Sequence, residues 1–137
     1  MTNKPLFVLD TNVLVSAVLL PGSTAQKALD KTLQKGALAQ SLATLDELKE
    51  VLDRNKFDKY ISREERVRFF TALVGEAVLV EVKVQITACR DAKDNKFLEL
   101  AVSAPAQAII SGDADLRSLH PFQGISILTP GAFLAEE

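Results

Sequence analysis

The stretch Leu6-Phe7-Val8-Leu9-Asp10-Thr11-Asn12 sets four consecutive apolar residues against an acid, a hydroxyl and an amide. An apolar run this short, with no polar alternation, reads as a strand buried on both faces, as strands inside a parallel sheet are. The pattern returns later in the chain, where Ala108-Ile109-Ile110 runs into Ser111-Gly112-Asp113. Two buried strands, each leading into an acid, frame the reading of what lies between them.

Outward from Asp10, a helix is expected over residues 12–19, stopped by Pro21-Gly22. Ser23 or Thr24 caps a second helix, with Ala25, Ala28, Leu29 and Leu33 on one face, Lys27, Lys31 and Lys35 on another, and Gly36 as its stop. Residues 37–40 are a weak strand candidate. Thr44-Leu45-Asp46-Glu47 matches a capping box and predicts a helix with Leu45, Leu48, Val51 and Leu52 inward. A helical turn is expected over 56–60. Ser62-Arg63-Glu64-Glu65 is a second capping box, for a helix that carries Val67, Phe70, Leu73 and Val74 and ends at Gly75. Residues 77–82 read as a strand, 94–104 as a helix with Asp94 as N-cap, 115–119 as a short helix, 125–128 as a last strand and 130–135 as a terminal helical turn. Strands alternating with helices argue for an α/β fold with a central, largely parallel sheet.

The chain has 137 residues, which fits one domain, and its 47% hydrophobic and 25% charged residues are ordinary globular usage. No apolar run approaches the ~20 residues that span a bilayer, and no leader for export is evident. A cytoplasmic protein without membrane association is expected. Cys89 and His120 are the single Cys and the single His. They cannot build a Cys/His zinc site, and a lone Cys suits a reducing compartment. Any metal must therefore be held by oxygen, which points to Mg²⁺ or Mn²⁺. The formal net charge of −2 lacks the basic footprint of most nucleic-acid binders.

Among the acids, Asp10, Glu47, Asp94 and Asp113 stand out by position. Asp10 and Asp113 follow strands, Glu47 lies in the expected first turn of a helix, and Asp94 starts one. Ligands of an open parallel sheet bind beyond the carboxyl ends of its strands, where strand order reverses. Asp10 and Asp113 become neighbours there if their strands pair. The helix of Asp94 must run back along the sheet, and residues 85–93 are long enough to carry the chain across to that edge. Carboxylates gathered so closely repel one another, and a divalent cation is what makes such a cluster tolerable. Each position also has a plainer reading as an N-cap or turn residue. Arg90, Lys93 and Lys96 bracket Asp94 and could meet a phosphate backbone, whereas Arg63, Arg66 and Arg68 read as a solvated face. Cys89 reads as a small buried residue and His120 as a loop residue.

Four segments carry a family resemblance. Leu9-Asp10-Thr11-Asn12-Val13-Leu14 resembles the opening strand of PIN-domain proteins, and Thr44-Leu45-Asp46-Glu47-Leu48 their second acidic segment. Residues 90–101, from Arg90-Asp91-Ala92-Lys93-Asp94 onward, are similar to the third, and Ile110-Ser111-Gly112-Asp113-Ala114-Asp115-Leu116 to the fourth. The chain is most similar in kind to bacterial PIN proteins of the VapC type, the toxins of toxin–antitoxin pairs. The resemblance implies one PIN-like domain over residues 1–137, with about five parallel strands flanked by helices on both faces. It implies Mg²⁺- or Mn²⁺-dependent hydrolysis of RNA that leaves 5′-phosphate and 3′-hydroxyl ends. Asp10, Asp94 and Asp113 become metal ligands, and Glu47 a ligand or a group that orients water. Asn12 and Ser111 take accessory polar positions, with Asp115 and Asp91 as further acids. A homodimer and a small antitoxin partner that blocks the site belong to the same implication, and neither is read from the residues themselves.

Two rivals remain beside this reading. A phosphoacceptor receiver domain also holds Mg²⁺ with carboxylates on a parallel sheet. It needs an Asp after its middle strand, but 77–82 is followed by Lys83-Val84-Gln85, and no Lys follows either late strand. A non-catalytic RNA- or protein-binding module would keep the fold without turnover.

Overall fold

The computed structural model describes residues 4–136. A five-stranded, all-parallel sheet is formed by β1 (Leu6–Leu9), β2 (Ala37–Gln40), β3 (Val78–Leu79), β4 (Ala108–Ile110) and β5 (Ser126–Leu128) in the order β3-β2-β1-β4-β5. The chain lays down β1, β2 and β3 in one direction, then crosses to place β4 on the other side of β1. Leu9 pairs with Ile110, so the carboxyl ends of β1 and β4 lie side by side at the reversal. A receiver-type sheet, ordered 2-1-3-4-5, would put β3 beside β1; here β3 is an edge strand.

The continuous apolar runs are buried on both faces because strand side chains alternate. Phe7, Leu9, Leu38, Ala108 and Ile110 pack on one face with α1 (Thr11–Leu19), α2 (Thr24–Lys35), α3 (Leu42–Leu52), α4 (Arg63–Glu76) and α7 (Pro130–Ala135). Val8, Ala39, Ile109 and Ile127 pack on the other with α5 (Asn95–Ser103) and Leu116 of α6 (Ala114–Arg117). Cys89 is buried in this second layer, as the sequence suggested. Among the described residues no helix is long and apolar enough to cross a membrane.

Several local expectations need correction. The capping box of α3 is built by Ser41 and Thr44, not by Thr44 and Glu47: the Ser41 hydroxyl accepts from Thr44 N–H, and the Thr44 hydroxyl accepts from Ser41 N–H. The helix therefore starts at Leu42, and Glu47 sits in its second turn. In α4, Gly75 does not end the helix, which closes after Glu76 with Ala77 N–H on Leu73. Val67 and Val74 face solvent, while Arg66, expected on a solvated face, is fully buried. Its guanidinium donates to the carbonyls of Leu52 and Ile61, both at 2.6 Å, and to Asp58 at 2.8 Å. Leu52 is the last residue of α3, so Arg66 satisfies a helix-end carbonyl that would otherwise lack a partner. His120 lies outside the helices, as expected, and its Nδ1 accepts from Ile127 N–H.

The strand expected over 77–82 shrinks to two residues. Val80 N–H still reaches Gln40, and then the chain leaves the sheet edge. From there it lies along α5, where Ser103, Glu99 and Asn95, four residues apart on one helical stripe, accept from the N–H groups of Lys83, Ile86 and Cys89 at 2.8–3.1 Å. These side-chain acceptors satisfy backbone N–H groups of a segment that has left the sheet.

Gly36, between α2 and β2, is required by close approach. A Cβ there would lie 2.1 Å from the Pro5 carbonyl oxygen, which accepts from Ala37 N–H. Gly36→Ala is expected to cost about 2 kcal/mol through overpacking against backbone. Gly75→Ala, in a helix with nothing within 4 Å of the added methyl, is expected to gain about 0.5–1 kcal/mol. Denaturant midpoints of the two variants should move in opposite directions.

Candidate active site

Asp10 leaves β1 and caps α1. One carboxylate oxygen accepts from Val13 N–H at 2.9 Å and the other from the Ser111 hydroxyl. Ser111 follows β4 and is fully buried; its oxygen also accepts from Asp113 N–H at 3.0 Å. Asp113 in turn caps α6, with one oxygen on Leu116 N–H at 3.0 Å. The β1–β4 pairing thus delivers two acids to one place, joined by a hydroxyl. At each position the plain N-cap reading is true as well, because a carboxylate has an oxygen to spare beyond the helix end.

Glu47 reaches the same place from α3. It accepts from the Thr11 hydroxyl and, at 2.5 Å, from the Lys96 ammonium. Thr11 was missed by reading along the chain, since its partner is 36 residues away. Its only signal in the sequence was a hydroxyl placed directly after the strand-ending Asp10. Asp94 lies at the start of α5 but does not cap it by side chain; Asp91 caps the preceding turn instead, accepting from Lys93 N–H at 3.1 Å. Among the described residues no hydrogen-bond donor meets the Asp94 carboxylate.

These acids border one open cleft of about 590 Å³, with Thr11, Asn12, Asp91, Lys93, Lys96 and Arg54 also on its walls. Their crowding shows in their acidity. Burial first, then Asp113, Asp91, Asp10 and Glu47, push the Asp94 carboxyl up to about 6. Burial also raises Asp10, opposed by its bonds from Ser111 and Val13 and reinforced by Asp113 and Glu47. Burial raises the Cys89 thiol, with Asp94 and Asp113 adding to the effect, so it is a poor nucleophile.

The family model for the PIN domain matches residues 7–115, most of the chain and all of the cleft-bordering acids. The chain belongs to the PIN domain family. It is 34% identical to an uncharacterised protein of Methanocaldococcus jannaschii over 117 residues, 82% of this chain and 74% of that one. Among solved structures, VapBC2 of Rickettsia felis, bound to a DNA fragment from its promoter, is similar with a TM-score of 0.61 at 12% identity, covering 90% of this chain and 98% of that chain. VapC20 of Mycobacterium tuberculosis, a sarcin–ricin loop cleaving toxin, is similar with a TM-score of 0.57 at 13% identity, covering 88% and 98%. At such identities the likeness is one of fold.

Within this PIN domain, the structure brings Asp10, Glu47, Asp94, Asp113, Asn12, Asp91, Lys93 and Lys96 to the cleft. Ser111 lies beneath it, holding Asp10 and Asp113. Asp115 and the exposed Arg90 are not on its walls. The donor chemistry fits a hard divalent cation: the acids offer only oxygen, the cleft is open to water, and Asp94 faces four like charges. Among the described residues no three His, Cys, Asp or Glu side chains are grouped so as to hold a metal ion as they stand. Asp10 is engaged by Val13 N–H and the Ser111 hydroxyl, and Glu47 by the Thr11 hydroxyl and the Lys96 ammonium.

The raised pKa of Asp94 has a stability consequence. The folded protein keeps a proton on Asp94 up to about 6, whereas the unfolded chain releases it near 3.8. The resulting stabilisation is complete below the lower value and lost as pH rises through the upper one. With a chelator present, Asp94→Asn should match the parent's Tm near pH 4 and exceed it by a few degrees at pH 7–8. A variant no more stable than its parent at pH 7–8 would contradict the crowding.

Proposed function

We propose that this PIN domain is a Mg²⁺- or Mn²⁺-dependent endoribonuclease, and that it serves as the toxin of a toxin–antitoxin pair. The observation that carries the reading is the uncompensated negative charge at Asp94, where acids from four separate segments border one cleft. Asp10, Asp94 and Asp113 would hold the cation, and Glu47 would be a further ligand or would orient the attacking water. When bound, a divalent cation supplies Lewis acidity, lowering the pKa of water and offsetting charge that develops on a phosphoryl group.

The chain's own groups do the rest. Val13 N–H and the Ser111 hydroxyl fix the Asp10 carboxylate, so little reorientation is left for the reaction. Lys93 and Arg54 on the cleft walls meet the backbone phosphates of the substrate, a local attraction on a chain of net charge −2. Hydrolysis joins the water oxygen to phosphorus, breaks the bond to O3′ and leaves O3′ with a proton, giving 5′-phosphate and 3′-hydroxyl ends. The toxin role, a small antitoxin partner and a homodimer draw support from the likeness to VapBC2 and VapC20. A cytoplasmic location accords with that role.

Incubation of the purified protein with labelled RNA tests the reading. Mn²⁺ should allow cleavage and EDTA should abolish it. Asp10→Asn and Asp94→Asn should each lower the rate roughly 100-fold or more, with circular dichroism unchanged. Cleavage that persists in EDTA, or full activity in both variants, would refute the assignment. RNA binding without cleavage under several metals would replace the enzyme by a binding module.

A further inference from the structure

The loop between α3 and α4 gathers positive charge and an aromatic ring at one rim of the cleft. It reads Arg54-Asn55-Lys56-Phe57-Asp58-Lys59-Tyr60, with a single 3₁₀ turn over Asn55–Phe57. Arg54 stands on the cleft wall. From there the chain winds through consecutive turns, with Phe57 N–H on Arg54, Asp58 N–H on Asn55 and Tyr60 N–H on Phe57. Six residues span at most about 20 Å even when extended, so Tyr60 stays near that wall. The acids of the segment are already taken: Asp53 pairs with Arg63 at 2.7 Å and Asp58 with Arg66 at 2.8 Å. Lys56 and Lys59 have no carboxylate at ion-pair distance among the described residues. Lys59 Nζ lies 5.2 Å from the centre of the Tyr60 ring. Tyr60 is 59% exposed, whereas every Phe of the chain is buried or half-buried.

The loop has a fixed shape. Phe57 packs against the core, and the buried Arg66 guanidinium grips the segment at three points, the carbonyls of Leu52 and Ile61 and the carboxylate of Asp58. Desolvating a guanidinium is costly, and apolar packing would join two helices as well. What the guanidinium adds is one geometry for the loop, with Phe57 held inward and Arg54, Lys56, Lys59 and Tyr60 exposed.

We infer that this loop is a binding rim for single-stranded RNA leading out of the cleft, with Arg54, Lys56 and Lys59 on backbone phosphates and the Tyr60 ring stacked on an unpaired base. Cations beside an exposed ring match the two parts of a single strand, its charged backbone and its flat bases. A base already stacked and paired in a duplex offers no face to such a ring. A loop held in shape before binding loses little freedom when RNA arrives. On a chain of net charge −2 with an acidic cleft, the rim supplies attraction for phosphates that the cleft acids oppose. The inference rests on the reading that RNA is the substrate, and it adds which form of RNA enters and over which wall.

Tyr60 is the single tyrosine of a chain without tryptophan, so the protein's own emission reports on that ring. The test uses the full chain carrying Asp94→Asn, in Mg²⁺, so that binding is read without cleavage. It is titrated with an unstructured single-stranded RNA of about 12 nucleotides, and with the duplex of that RNA and its complement. Anisotropy of a label on the RNA follows binding, and tyrosine emission with unlabelled RNA follows stacking. The single strand should bind and quench Tyr60. Adding Tyr60→Leu should weaken single-strand binding about fivefold or more at unchanged salt dependence, and Tyr60→Phe should restore it. Duplex binding should be indifferent to both. Adding Lys56→Gln and Lys59→Gln together should weaken binding about tenfold and flatten the log–log salt slope by roughly 0.7 per lysine. Lys27→Gln with Lys35→Gln, exposed on α2 away from the cleft, should change little. Binding without quenching would overturn the inference and leave the RNA reading standing. So would loop variants that bind as their parent does, or an equal loss for the α2 pair. Failure of both RNAs to bind would instead overturn the RNA reading from which the inference starts.

Discussion

A carboxylate that is only 4% exposed has to be compensated where it stands, and Asp10 is compensated by two neutral donors from different parts of the chain. Val13 N–H comes from the helix that Asp10 itself starts. The Ser111 hydroxyl comes from 101 residues away and is available only because β4 pairs with β1 in the register Leu9 to Ile110. A one-residue slip of that register would turn Ser111 to the other face of the sheet and strand a buried charge. The site and the central pairing of the fold are therefore one construction. Asp113 is tied into it by the same hydroxyl.

Structural and chemical roles are not rivals in this cleft. Asp10 and Asp113 cap helices and border the cleft with the same carboxyl groups, because a helix start consumes only one oxygen. Asp94 is the exception that carries the most information. It neither caps by side chain nor accepts a hydrogen bond among the described residues, so nothing in the fold explains an acid there. Its proton affinity reflects burial and like charge alone. Asp94 reaches this place through an unusual route: a segment with no regular structure, pinned to α5 by a stripe of three side chains, which crosses from the sheet edge to the cleft.

The likeness to VapBC2 and VapC20 at 12–13% identity shows how little of the sequence this fold requires. Buried apolar runs joined by helical crossovers suffice, because the burial of alternating faces sets the layers and the strand reversal sets the cleft. What varies around that frame is the set of polar partners. In this chain the Arg66 guanidinium ties the end of α3, the element that carries Glu47, to α4. The Lys96 ammonium then meets that glutamate from the opposite wall.

The local pattern by itself determined the alternation of strands and helices, the buried strands at 6–9 and 108–110, the oxygen-only character of any metal site and the acids to suspect. These follow from periodicity and residue chemistry, which need no knowledge of distant partners. The tertiary structure alone decided the burial of Arg66 and the shrinkage of the 77–82 strand to two residues. It also decided that Thr11 and Lys96 engage Glu47. Each of these depends on a group many residues away, or on which side of an edge strand is left open. No window along the chain contains both partners, so only the folded arrangement could choose between them.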